Sequence, residues 1–180
     1  MQLSKIVLLL ILFPSCIYGQ NELEKNNFND LTDALNLSAK KIVQSIEEDD
    51  YDTYIDLINP SLISAYGGKE RFLENTIAIR KAQKDADMVI VKADLKNDPY
   101  DIVSEDQSYQ TILAFDYVLK IGADDYQGVN YLFAITSKEE INWTFAELET
   151  FDEKSIKSFI PEYSNSLKFP VIKGAEIIKK

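Results

Sequence analysis

The chain has 180 residues, no histidine, one cysteine and a formal charge of −11. Without histidine the commonest general base and metal ligand is missing, and without a second cysteine there is neither an internal disulfide nor an ordinary thiolate zinc site. So acidic a chain repels phosphate backbones, which excludes nucleic acid as a partner, and an apolar share of 46% excludes wholesale disorder.

Residues 1–19 read as a secretory signal peptide: Lys5, the apolar run Ile6–Phe13, then Pro14-Ser15-Cys16-Ile17-Tyr18-Gly19. The run is too short to span a bilayer. Cleavage after Gly19 gives a soluble periplasmic or secreted protein beginning at Gln20. Cleavage before Cys16, with lipid added there, gives an envelope lipoprotein, although Leu12–Ser15 only loosely fits a lipobox. Residues 20–28 are polar and read as a flexible lead-in to a domain spanning 29–160.

Asn29 or Asp30 can cap a first helix, in which Leu31, Leu35, Ile42, Val43 and Ile46 recur at helical spacing. The acidic run Glu47–Asp50 ends it or starts the next, Tyr51–Ile58, which Asn59-Pro60 stops. With Asp52 that run could hold calcium weakly. It lacks the spacing and central glycine of an EF-hand loop, so it reads as a solvated helix junction. Ser61–Tyr66 fits a brief strand or a turn of helix. After Gly67-Gly68, Lys69–Lys84 predicts a long helix with Phe72, Leu73, Thr76, Ile77, Ile79 and Arg80 as its stripe.

Met88–Leu95 alternates and predicts the first long strand, followed by a polar loop, Asn97–Asp106. Three further strands are expected at Ser108–Ile121, Val129–Ser137 and Ile141–Glu149. Ala123–Gly128, including Asp124-Asp125, and Lys138–Glu140 are the turns between them. Joints this short demand antiparallel pairing. In the first of the three, Tyr109, Thr111, Leu113, Phe115, Tyr117, Leu119 and Ile121 share one face; Gln110, Ile112, Ala114, Asp116, Val118 and Lys120 share the other. Asp152 caps a last helix, Glu153–Ile160, and 161–180 is a tail that packs on the domain or runs free.

Two amphipathic helices, a short apolar segment, a Gly-Gly break into a long helix and then an antiparallel sheet resemble the NTF2-like, or cystatin-like, superfamily. The likeness is carried by Ala39–Asp56, with Asp50-Tyr51-Asp52-Thr53-Tyr54, by Leu62–Phe72 and by the strand series from Met88 to Glu149. It implies an α+β fold with N-terminal helices packed on a strongly curved antiparallel sheet of about four long strands, making a cone. It also implies an apolar pocket at the open end and a dimer interface on the outer sheet face, here through Ile112, Ala114, Val118 and Leu132. The superfamily holds isomerases, dehydratases, polyketide cyclases and non-catalytic binding domains, so fold does not decide function.

The expected pocket lining is Tyr66, Tyr109, Phe115, Tyr117, Tyr131, Phe133 and Trp143, which reads as simple core or as rings around a small apolar ligand. Asp116 is the one catalytic candidate, as a pocket carboxylate aided by a tyrosine. Its parity with Gln110 and Lys120 places it on the outer, partly wet face. The first expectation is therefore a non-enzymatic domain binding a small apolar ligand or an envelope protein, with no metal and no cofactor. The alternative is an isomerase- or dehydratase-like enzyme.

Overall fold

The computed structural model describes residues 16–96, 100–148 and 151–178, with side chains from Asn29 onward. Most of the expected leader, part of the polar loop after the first strand and the last two residues of the tail lie outside the described residues. Two compact units meet between Asp33 and Ala34. In the first, the described backbone is helical throughout. It belongs to a helix, α1, that runs unbroken from Cys16 to Glu48. The helix start expected at Asn29 or Asp30 is thus corrected. No proline interrupts Gln20–Phe28, and its Glu, Leu and Lys residues are good helix formers, so nothing stops the helix there.

The second unit holds the end of α1 and every other element. Leu35, Ala39, Ile42, Val43 and Ile46 form the buried stripe of α1. The helix stops where Asp49 turns left-handed, at φ 55°. Asp50 then caps α2 (Tyr51–Leu57) by accepting the Thr53 amide at 3.2 Å. The acidic run therefore ends one helix and starts the next. Asn59 caps α3 (Pro60–Ala65), so the segment left open between strand and helix is helix, with Pro60 in its first turn. In α4 (Lys69–Asp85) only Phe72 is fully buried. The expected stripe is corrected: Ile77 and Ile79 are exposed, while Thr76 and Arg80 are half-buried.

Among the described residues six strands follow: β1 (Met88–Leu95), β2 (Val103–Ser104), β3 (Ser108–Ile121), β4 (Asp124–Ser137), β5 (Thr144–Glu147) and β6 (Glu176–Ile177), with α5 (Glu153–Phe159) between the last two. The long path is β1-β3-β4-β5, antiparallel and not closed; β2 pairs with β3 and β6 with β4. The fold is α+β, helices packed against an antiparallel sheet.

The hairpin corrects the expected joint. β3 and β4 pair without a break from Ile121↔Asp124 to Ser108↔Ser137, leaving only Gly122-Ala123 as the turn. Gly122, at φ 59°, supplies the positive dihedral that a two-residue hairpin needs. Asp124, Asp125 and Gly128 lie in the strand. Tyr117 sits opposite Gly128, and a Cβ there would fall 2.6 Å from its phenol, so only glycine fits.

This register sets the faces. Leu113 pairs with Leu132, and Ile112 with Phe133. Thr111, Leu113 and Phe115 therefore share the helix side with Asn130, Leu132 and Ala134. Phe133 and Tyr131 lie on the opposite side, with Asp116. Leu132, Phe133 and Ala134 are all fully buried, so β4 is covered on both faces. The second cover is the tail. Phe133 packs against Tyr163 with ring centroids 4.9 Å apart. Gln110, also fully buried, donates to the Glu162 carbonyl at 2.6 Å and accepts the Ser164 amide at 2.8 Å. α5 begins at the expected cap, with Asp152 accepting the Ser155 amide at 2.6 Å. β5 is shorter than expected because the Thr136 hydroxyl takes the Asn142 amide at 2.8 Å, bending the chain before Thr144.

Candidate functional site

The proposed ring-lined pocket is corrected, because its members do not converge. Phe115 and Trp143 are buried in the core. Phe133 is buried on the other face, beneath the tail. Tyr131 and Tyr117 are half-buried, on opposite faces. Tyr109 is half-buried, with the Lys138 ammonium 5.3 Å from its ring centre. Tyr66 is exposed and stacks edgewise on Phe72, ring centres 5.5 Å apart, beyond the sheet altogether. Likewise Leu132, assigned to the outer dimer face, lies on the inner one.

Asp116 sits on the outer face, its side chain 57% exposed, with the Lys96 ammonium 3.7 Å away. Across β1 it faces Asp94, which is paired with Lys92. Two carboxylates opposite one another repel, and the two lysines offset that. Nothing there desolvates Asp116. Asp116→Asn is expected to change stability by no more than about 0.5 kcal/mol in urea unfolding, as for an exposed, weakly paired charge.

Inside the domain, one polar cluster joins α2 to the sheet. The Tyr54 hydroxyl donates to Glu147 Oε1 at 2.7 Å, and the Asn130 amide donates to Glu147 Oε2 at 3.3 Å. Beside it lies a cavity of about 10 Å³ lined by Ser45, Asp49, Tyr51, Tyr54, Thr76 and Arg80. That is room for a water and not for an organic ligand. Burial, then the Glu147 charge and its hydrogen bond, hold the Tyr54 phenol well above its ordinary 10.0. Burial and the Glu153 charge push Tyr163 up to about 12.

Both phenols are raised on folding. Their contribution to stability is whole below pH 10 and is lost as pH rises through the folded values, because the unfolded chain sheds those protons first. For Tyr54 alone the slope is about 1.4 kcal/mol per pH unit above 10. Urea midpoints measured between pH 9 and 11.5 are expected to fall beyond 10, and Tyr54→Phe to flatten that fall.

The open site lies between α1 and β1. A groove of about 470 Å³ is walled by Lys40, Val43, Gln44, Glu47 and Glu48 on α1 and by Ala93, Asp94 and Leu95 on β1. Both walls belong to the second unit. The Glu47 carboxylate accepts the Ala93 amide at 2.9 Å at one end, and the Tyr100 hydroxyl donates to Asn36 at 2.8 Å beyond the other. Val43 and Ala93 are buried beneath, and Glu47, Glu48 and Asp94 outnumber Lys40 among the charges. Residue-by-residue reading of the sequence missed this site. Its residues are spread over two segments some 45 positions apart, and only the acidic end of α1 drew notice. Tyr54, Glu147 and Gln110 were missed for the same reason.

Among the described residues, no three acidic, cysteine or histidine side chains gather as a metal site, and no helix is long and apolar enough to cross a membrane. No family model matches the chain, and a search of curated proteins finds no match.

Proposed function

We propose that this chain is an exported, non-enzymatic binding domain of the NTF2-like kind, and that it takes its partner in the groove between α1 and β1. The groove carries the reading: it is open and sizeable, with an apolar floor and a polar, mainly acidic rim. The cavity beside Tyr54 has no room for a small apolar ligand, and the rings expected to line a pocket lie apart. An envelope protein suits a groove of this polarity better. The order of helices and strands supports the superfamily assignment, and Lys5 with the apolar run Ile6–Phe13 supports export. The isomerase or dehydratase alternative draws no support from Asp116, which stands in solvent on the outer face.

The test is native mass spectrometry of protein purified from its own host, with hydrogen exchange before and after the bound species is stripped. Protection of residues 40–48 and 93–95 by that species is the expected result. A bound species that protects only other segments overturns the reading. The same spectra weigh the two starts of the mature chain, a free Gln20 or an acylated Cys16.

A further inference from the structure

β1 is an open edge. Among the described residues it pairs only with β3, at the end of the path β1-β3-β4-β5. Such an edge presents unpaired amides and carbonyls that invite another strand. The directions of these groups follow from one bond. The Lys96 amide donates to the Ala114 carbonyl on β3, at 2.9 Å. In an antiparallel ladder alternate residues turn both backbone groups to the same side. Asp94 therefore faces β3 with Lys96, while Ala93 and Leu95 turn their backbone groups outward, into the groove. The Ala93 amide agrees: it meets the Glu47 carboxylate at 2.9 Å, an oxygen standing where a neighbouring strand's carbonyl would be.

We propose that the groove receives an extended basic peptide, which adds as a strand to β1 with α1 as its flanking wall. This rests on the groove being the binding site, as proposed above. The wall is long enough. Eleven residues of helix separate Asn36 from Glu47, about 16 Å, which matches about five residues of extended chain. Main-chain bonds to Leu95 and to Ala93, whose amide Glu47 yields to the incoming carbonyl, supply affinity, and alternate side chains supply specificity. One set of peptide side chains meets the apolar floor at Val43 and Ala93. Glu47 and Glu48 on α1 rim that floor, and the other set lies on the face of Asp94; these carboxylates select lysine or arginine over acidic residues. The overall charge of −11 steers a cationic partner toward the chain.

The test uses the full chain, labelled with ¹⁵N, and an acetylated, amidated hexapeptide of alternating lysine and valine. Addition of this peptide is expected to shift the amides of Ala93, Leu95 and residues 40–48, with affinity falling as salt rises. An alternating glutamate and valine peptide is expected not to bind. N-methylating the lysine peptide on alternate residues blocks one edge only, so one pattern weakens binding about tenfold or more and the other hardly at all. Glu47→Gln keeps an acceptor for Ala93 but removes the charge; it is expected to weaken binding severalfold and to lessen the salt dependence. If both methylated patterns bind like the parent while the groove shifts persist, strand addition is overturned and the groove reading stands. If no peptide shifts residues 40–48 or 93–95, strand addition is overturned as well. Should the stripped host species also leave those residues unprotected, the groove reading falls with it.

Discussion

Gln110→Ala is expected to lower stability by about 2–4 kcal/mol and to free the C-terminal segment while the β3–β4 hairpin keeps its register. The side chain is fully buried on the outer face of β3. Its amide donates to the Glu162 carbonyl and accepts the Ser164 amide, so one residue satisfies two backbone groups of a segment with no ladder of its own there. Alanine leaves both without partners, at about 1–3 kcal/mol each when water cannot reach them. In a chain of this size the loss lowers the melting temperature by roughly 10 °C. Hydrogen exchange is the sharper measurement. Amides of residues 160–167 are expected to lose protection, while those of β3 and β4 keep it. An unchanged melting temperature and unchanged protection would show that the segment is held by its apolar side chains alone.

Phe133→Ala is expected to cost about 3–5 kcal/mol, the usual range for emptying a buried aromatic site. Tyr131→Ala, two residues away on the same face, is expected to cost clearly less. Phe133 is fully buried under Tyr163, with the ring centres 4.9 Å apart, whereas Tyr131 is only half-buried. Denaturant unfolding of the two variants measures the difference. A double-mutant cycle with Tyr163→Leu isolates the ring pair and is expected to return a coupling of about 0.5–1.5 kcal/mol. Equal costs for the two substitutions, with no coupling, would mean that the tail does not close over this face.

The hairpin shows how one short segment redirects a whole face. Both parities of β4 are apolar, Tyr131 and Phe133 on one and Leu132 and Ala134 on the other, so alternation alone could not say which meets the helices. The link between the strands decides it. Placing the rings of both strands on one face requires odd positions of β3 to pair with odd positions of β4. The tight turn at Gly122-Ala123 pairs odd with even, and every β4 side chain changes sides. The ring-lined pocket was the casualty. Asp116 was safe from this error, because its face was read within β3 itself.

The signals legible in the sequence were local. The cap at Asp152, the stop at Asn59-Pro60, the buried spacing of α1 from Leu35 to Ile46, and the antiparallel run of the long strands all depend on residues within a few positions of each other. Backbone dihedrals and short hydrogen bonds determine them, so neighbours suffice. Which face is covered, and by what, was decided only in three dimensions. Gln110 meets Ser164, Phe133 meets Tyr163, Tyr54 meets Glu147 and Glu47 meets Ala93 across 30 to 93 positions. No local preference encodes those meetings. They follow from burying both sides of β4 at once, and from an open strand edge drawing the nearest carboxylate.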